Sequence, residues 1–171
     1  IIMPDEMPFT ITPELVAEVG NRFYIGGNWT GTTTDSFAVS IEAPDVVLDG
    51  NHYTLTGTLD SDDDTYQCAI VTGGLSNITI FHINATCWNQ GVAFDHIDSA
   101  WIDQNNMYGN YNASIGISWS NGINIAGNTL QDNGENGLYV GDSENILVMG
   151  ENHDGIPIPT VISGNPAGIF F

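Results

Sequence analysis

A short pattern of apolar residues recurs along this chain at a nearly constant interval. Val92, Ile115 and Leu138 occupy the same place in the pattern, and each lies roughly 23 residues from the next. The same place falls on Ile70, about one interval earlier, and on Ile169, which follows Leu138 after a longer interval. A fixed period in this range is typical of a solenoid, in which each repeat buries its apolar side only by stacking on its neighbours. The repeat therefore decides most of the fold before any motif is considered.

Each repeat contains short segments in which apolar and polar residues alternate, as they do in β-strands. The first segment is completed by Phe94, Ile117, Val140 and Phe171, and the second segment contains the pairs Ile78 and Ile80, Ala100 and Ile102, Ile123 and Ile125, Ile146 and Val148. Met107 and Leu130 mark a third segment, which lies between corners at Asn105 and Asn128 and corners at Asn110 and Asn133. Helical repeats need about 33 or more residues per unit, so they do not fit this spacing.

Asparagine and glycine suit the corners because both tolerate the left-handed backbone region. Stacked asparagine side chains can also hydrogen-bond along the solenoid axis. Three strands per repeat with such corners predict an all-β fold, a right-handed parallel β-helix (β-solenoid) of about five turns of about 22–23 residues. We expect this β-helix to span residues 36–171.

The phrases SNITI, NGINIAGN and ENILVMG, with DVVLDGNHYTLTG before them, resemble the parallel β-helix repeats of NosD-like proteins. The resemblance covers roughly Ser36 to Phe171. Similar repeats occur in carbohydrate-binding and sugar-hydrolase β-helices and in surface proteins of methanogenic archaea. The resemblance implies a fold and an archaeal surface location, but repeats of this kind serve many roles. NosD-like proteins are often associated with copper, yet the four histidines (His52, His82, His96, His153) and the methionines show no close ligand spacing, and core packing accounts better for them.

Three segments depart from the repeat. Residues 1–35 do not fit it and are expected to cap the first turn, with a helix from Pro13 that is capped by Thr12. An insertion of about ten residues carries Asp60, Asp62, Asp63 and Asp64, which form either a Ca²⁺ site or a merely solvated loop. A second insertion, GENHDGIPIPT, contains two isoleucines beside prolines that either contact a neighbouring subunit or pack on the solenoid wall.

The charge is extreme, since Arg22 is the only basic side chain besides the histidines and the formal net charge is −20. Such a surface repels nucleic acid and anionic lipid, so both are excluded as partners. It fits either simple solubility or neutralisation by salt and divalent cations. No run of about 20 apolar residues predicts a membrane span.

Two features bear on location. Cys68 aligns one turn before Gln90, and Cys87 lies just short of that place, so a Cys68–Cys87 disulfide between neighbouring turns is predicted over a pair of buried thiols. A disulfide implies an oxidising, extracellular compartment. Four glycosylation sequons begin at Asn28, Asn77, Asn84 and Asn112.

Catalytic motifs are absent from the sequence. Asp95, Asp98 and Asp103 share one turn with His96, but we interpret them as outward-facing strand residues rather than a glycosidase pair. The motifs of pectate lyases and polygalacturonases are missing, as are a phosphate loop, a nucleophile elbow and zinc spacing. Outward aromatic residues are a candidate sugar-stacking face or a subunit contact: Trp88, Trp101, Tyr111 and Trp119.

These features predict a non-catalytic extracellular structural module of a cell-surface layer, sheath or filament. We expect it to associate with itself or with further domains through the solenoid ends. No cofactor is expected apart from Ca²⁺ at the acidic insertion. The alternative is a carbohydrate-binding or carbohydrate-processing β-helix that uses the tryptophan face.

Overall fold

A computed structural model describes residues 1–58 and 66–171 of the chain. These residues wind into a right-handed parallel β-helix, which confirms the predicted fold. Each of six coils contributes one strand to each of three parallel sheets, and one strand of a further coil is added to the first sheet, so the sheets contain seven, six and six strands.

The first sheet consists of β1 (Phe9–Ile11), β4 (Phe37–Ile41), β7 (Cys68–Gly73), β10 (Gln90–Asp95), β13 (Ala113–Ser118), β16 (Asn136–Gly141) and β19 (Ala167–Phe170). The second sheet consists of β2 (Arg22–Tyr24), β5 (Val47–Asp49), β8 (Ser76–Phe81), β11 (Asp98–Asp103), β14 (Asn121–Ala126) and β17 (Leu147–Met149). The third sheet consists of β3 (Trp29–Thr30), β6 (Thr54–Thr56), β9 (Asn84–Thr86), β12 (Asn106–Tyr108), β15 (Thr129–Gln131) and β18 (Val161–Ser163). Near the N-terminus lie a 3₁₀ helix (Pro4–Glu6) and the helix α1 (Pro13–Val19).

Strand pairing confirms the columns inferred from the repeat. Val92 pairs with Ile70 in the preceding coil and with Ile115 in the following coil. Leu138 pairs with Ile169 across the longer interval. Side chains in these columns point inward and are fully buried in the inner coils, where they stack along the axis. Each such side chain contributes about 1.5–3 kcal/mol by leaving water.

Asparagine side chains link the coils at two corners, as predicted. The Asn128 carboxamide oxygen accepts hydrogen bonds from the backbone N–H of Asn105 at 2.9 Å and from the Asn105 side-chain amide at 3.0 Å. A second ladder runs from Asn110 through Asn133 to Asn165. The ladder asparagines do not adopt the left-handed conformation; the preceding residue does, for example Gly127 (φ 62°) before Asn128. Asparagine is therefore required here for its hydrogen bonds and not for its backbone freedom.

A third corner uses serine, which the sequence pattern did not reveal. Ser120 Oγ accepts a hydrogen bond from the backbone N–H of Ile97, and Ser143 Oγ accepts one from the backbone N–H of Ser120, both at 3.0 Å. Serine carries out the same linkage as asparagine with a shorter side chain. These bonds satisfy buried backbone donors where the strands end.

The N-terminal residues form more than the cap assigned to 1–35. Strands β1, β2 and β3 pair in parallel with β4, β5 and β6, so these residues add a sixth coil beneath the five predicted ones. Helix α1, inserted between β1 and β2, lengthens this coil and hides its repeat. The predicted helix cap is confirmed, because Thr12 Oγ1 accepts a hydrogen bond from the N–H of Leu15 at 3.3 Å.

The insertion at residues 150–160 packs back on the solenoid wall, which was one of its two predicted placements. The backbone N–H of His153 donates to Asp103 Oδ2 at 2.9 Å, and Ile158 lies beside Gly127. The first insertion is confirmed in length by the pairing of Leu48 with Ile80. Its acidic residues Asp60, Asp62, Asp63 and Asp64 lie outside the described residues.

Candidate functional site

The C-terminal end face of the solenoid exposes side chains that the repeat elsewhere buries. Val148 and Ile169 stand in inward columns, yet they are 44% and 41% exposed. Their partners one coil below, Ile125 and Leu138, are 0% exposed. Phe171, beyond the end of β19, is 80% exposed. The sixth coil and the strand β19 that follows it thus present an apolar surface that the described residues leave uncovered, and Ile162, half-buried, completes it.

The opposite end is covered. Among the inward residues of the first coil, Ile11, Phe23 and Ile25 are buried and Phe9 and Trp29 are half-buried, although the described residues place no β-coil beneath them. Leu15 and Val16 of α1 pack on the core from that side. The N-terminal segment adds a parallel bridge between Ile2 and Ile25 at the edge of the second sheet. The N-terminal end of the solenoid is therefore covered, whereas the C-terminal end exposes apolar side chains.

Strand edges accompany the apolar surface at the C-terminal end. Strands β17, β18 and β19 each pair with a strand below and are the last strand of their sheets within the described chain. An outer strand presents a row of N–H and C=O groups that can bind another strand. Apolar surface framed by strand edges is suited to receive a further β-coil or a second β-rich molecule. The repeat placed Phe171 at the end of an inward column, and the last members of the other inward columns, Val148 and Ile169, complete the exposed surface.

The predicted disulfide does not form, since Cys68 and Cys87 are both free. Cys68 begins β7 and hydrogen-bonds with the Tyr66 hydroxyl, and burial raises the pKa of its thiol to about 12. Cys87 follows β9 at the next corner of the coil, where its sulfur lies 3.6 Å from Thr86 Oγ1. Cys68 lies on a strand of the first sheet, whereas Cys87 lies at the corner that follows the third sheet, so the two thiols have different neighbours. Burial also raises the pKa of Tyr66, whose hydroxyl donates to Gln90 Oε1 at 2.9 Å.

The four aromatic residues proposed as a sugar-stacking face do not share a face. Trp88 is buried in the core, where its indole N–H donates to the Leu55 carbonyl at 2.9 Å, so its predicted outward position is wrong. Trp101 lies on the second sheet, and Trp119 lies at the corner between the first and second sheets. Tyr111 lies at the corner that follows the third sheet. No common platform results from this arrangement.

The sequon asparagines occupy different environments. Asn28 and Asn77 are exposed, whereas Asn84 and Asn112 are half-buried. The side-chain amide of Asn77, the group that would carry a glycan, donates to Asp45 Oδ1 at 2.9 Å. That of Asn84 donates to the His52 carbonyl. Asn28 therefore has the most accessible amide, since its oxygen alone is engaged, by the N–H of Thr54.

The acidic residues of the fourth coil do not converge. Asp95 and Asp98 are exposed, and Asp95 lies 3.0 Å from the His96 ring nitrogen. Asp103 faces outward on β11, yet it is only 3% exposed because the 150–160 insertion covers it. Within residues 1–58 and 66–171, no group of three His, Cys, Asp or Glu side chains is arranged to hold a metal ion.

No helix in the described part of the chain is long and apolar enough to cross a lipid bilayer. Comparisons of the chain with models of known protein families, with curated proteins and with solved structures found no match. The resemblance to NosD-like repeats therefore stays a prediction, and the function has to be inferred from the geometry described above.

Proposed function

We propose that this chain is a non-catalytic structural module of an extracellular surface layer, sheath or filament, and that it assembles through the C-terminal end face. One observation carries the proposal: side chains of the inward columns are fully buried in the inner coils but exposed to solvent at this end. Exposed apolar patches of this kind mark interaction sites. The surface that covers them is either a second copy or further solenoid coils of a longer chain.

The difference between the two ends limits how copies can assemble. Because α1 and the N-terminal segment cover the first coil, the exposed C-terminal face of one copy cannot stack on the N-terminal face of another. End to end, two copies can therefore pair only through their C-terminal end faces, and such an isologous pair is closed. A sheath or filament therefore needs either several units joined in one chain or a second, lateral contact.

The charge favours a salty exterior for this assembly. Two copies with a formal net charge of −20 each repel one another unless salt or divalent cations screen them. The exposed sequon at Asn28 supports the extracellular placement. The free cysteines remove the support that a disulfide was expected to give.

The test is sedimentation velocity with light scattering on the 171-residue chain, over a range of concentration at about 0.5 M NaCl. We expect a concentration-dependent dimer. The Val148→Asp variant places a charge in the end face, once on each copy of the pair. Loss of an apolar contact of about 1.5 kcal/mol or more per copy weakens the dimer by about a hundredfold or more.

Val19→Asp is the matched control, since Val19 is also exposed and apolar but lies on α1 at the closed end. Both variants add one negative charge, so general repulsion is equal. A wild-type chain that is monomeric at every salt and protein concentration overturns pairing through this face. Equal weakening by both substitutions assigns the effect to charge and also contradicts the proposal. A further increase with millimolar Ca²⁺ at constant ionic strength indicates cation bridging.

A further inference from the structure

A second site lies on the outer wall of the second sheet, away from the end face. A cavity of about 450 Å³ opens there between the strands of the first four coils and the 150–160 insertion. Its volume is within the range of about 300–1,000 Å³ that is usual for small-molecule sites. The cavity joins residues from Arg22 to Asp154, which are far apart in sequence.

Stacking of the coils builds the floor of the cavity. Arg22, Val47 and Thr79 occupy one outward column on β2, β5 and β8. Phe81 and Asp103 occupy the neighbouring outward column on β8 and β11. From β2 to β11 the floor crosses three strand spacings, about 14 Å. Strands support the floor throughout, so its side chains are held at fixed separations.

The insertion builds the far wall. The insertion is anchored to β11 by Asp103, whose Oδ2 accepts a hydrogen bond from the backbone N–H of His153 at 2.9 Å. The His153 ring also packs edge-on against Trp101, with ring centroids 5.2 Å apart. This anchoring brings the His153 and Asp154 side chains to the cavity. The insertion is therefore held in place as a wall by two separate contacts.

Both signs of charge line the cavity. Arg22, the only Lys or Arg side chain of the protein, contributes a guanidinium. None of the ion pairs within residues 1–58 and 66–171 involves Arg22, so its donors are not committed to a carboxylate there. Asp103 and Asp154 contribute carboxylates. Asp103 is 3% exposed, with Oδ2 bonded to the insertion and Oδ1 beside Gly127, so its carboxylate lies beneath the cavity surface and Asp154 supplies the accessible one.

This combination selects the class of ligand. Anions are opposed by the two carboxylates and by the net charge of −20. Small cations are opposed by Arg22. A neutral molecule with many hydroxyl groups fits, because each hydroxyl can both donate to a carboxylate and accept from a guanidinium. Phe81 and Val47 offer an apolar floor for the ring of such a molecule.

We propose that this cavity binds a neutral saccharide, with a sugar ring over Phe81 and its hydroxyls bonded by Arg22 on one side and by Asp154 on the other, while Asp103 positions the wall that carries Asp154. The proposal does not depend on assembly through the end face. The proposed site differs from the sugar-stacking face predicted from the sequence. Of the four aromatic residues of that predicted face, Trp101 lies beside the cavity, where it packs against His153.

The test begins with an array of neutral oligosaccharides probed with the whole chain, followed by calorimetry on the glycan that binds best. We expect Arg22→Gln and Asp154→Asn each to raise the Kd about tenfold or more, because each removes a charged hydrogen-bonding group. Asp142→Asn is the matched control: Asp142 lies at a corner outside the cavity and loses the same charge. We expect it to leave the Kd unchanged.

Circular dichroism and thermal unfolding establish that each variant is folded before binding is compared. Amide shifts in an NMR titration should cluster at β8, at the end of β11 and at the insertion. Three results overturn the proposal: no neutral glycan binds the folded wild type, only acidic or amino sugars bind, or both cavity variants bind as tightly as the control. If a monomeric chain binds a neutral glycan, the result supports the saccharide site and at the same time contradicts assembly through the end face.

Discussion

The asparagine ladder yields a quantitative prediction at Asn128, which is fully buried at a corner of the fifth coil. Its side-chain amide donates to the carbonyls of Ile102 at 2.8 Å and Ala126 at 2.9 Å. Its carboxamide oxygen accepts two hydrogen bonds from Asn105. The substitution Asn128→Asp keeps the shape and the acceptor oxygen but replaces the amide by a second oxygen that faces two carbonyls.

The expected loss follows from these contacts. Two donated hydrogen bonds disappear, each worth about 0.5–1.5 kcal/mol, and a buried carboxylate is placed against carbonyl oxygens. We expect the free energy of unfolding to fall by about 3 kcal/mol or more at pH 7. For a chain of this size, such a change lowers the midpoint of thermal unfolding by about 6–12 °C.

The loss should depend on pH, with a definite sign. The carbonyls of Ile102 and Ala126 favour the protonated carboxyl in the folded state, so the pKa of the carboxyl introduced by Asn128→Asp is raised above its unfolded value of about 3.9. The folded variant then holds its proton more tightly than the unfolded chain does. The deficit relative to wild type is therefore small below about pH 4 and grows as the pH rises toward neutrality.

Urea unfolding of wild type and variant in parallel, at pH 4 and pH 7, measures this difference. Asn145→Asp is the control, because Asn145 is an exposed corner residue that donates to Asn121 Oδ1 at 2.7 Å. We expect it to cost less than about 0.5 kcal/mol. If Asn128→Asp unfolds at the wild-type midpoint at pH 7, the ladder does not stabilise the coils as described. A deficit that shrinks from pH 4 to pH 7 refutes the carbonyl environment.

Two further predictions concern close packing and thiol chemistry. Gly134→Ala places a Cβ against the Tyr111 carbonyl oxygen of the preceding coil, closer than any ordinary contact, so we expect a loss of about 1–3 kcal/mol in urea unfolding; Gly150→Ala meets no atom within 4 Å and should change stability by less than about 0.5 kcal/mol. Burial keeps the Cys68 thiol protonated at pH 8, since its pKa is raised to about 12, so iodoacetamide should label Cys68 only after unfolding. Mass spectrometry of protein kept without reductant and then alkylated in guanidinium should find both Cys68 and Cys87 labelled; a disulfide-linked peptide would contradict the free thiols.

The strands of this fold are predictable from sequence because inward positions along a stack have to be apolar. A strand shifted by one residue would turn its whole apolar set to solvent, so the columns of Ile70, Val92, Ile115 and Leu138 identify register as well as strands. Alternation stops at the corners, however. Trp88 follows β9 at a corner and turns into the core, and alternation with period two gives no means of foreseeing that direction.

Cys87 shows the same limit, since its distance along the chain from Gln90 says nothing about the direction of its side chain at a corner. The first coil was missed for another reason. Phe9 pairs with Val39 and Arg22 with Val47, so the offset along the chain is longer for the first pair than for the second, within one coil. Helix α1 between β1 and β2 causes this difference, and a search for one constant period passes over a coil that contains it.

The saccharide cavity lay beyond sequence analysis for a more general reason. In a solenoid each coil contacts mainly its neighbours, so an inner coil has no freedom to build a site across several coils. The outer wall does have that freedom, but strands alone make it nearly flat. A concave site therefore requires an added wall, and an insertion is the element that can supply one. The long interval between Leu138 and Ile169 located the insertion in the sequence. The direction in which the insertion folds depends on its hydrogen bond to Asp103, a contact between residues far apart in sequence that the repeat pattern does not indicate.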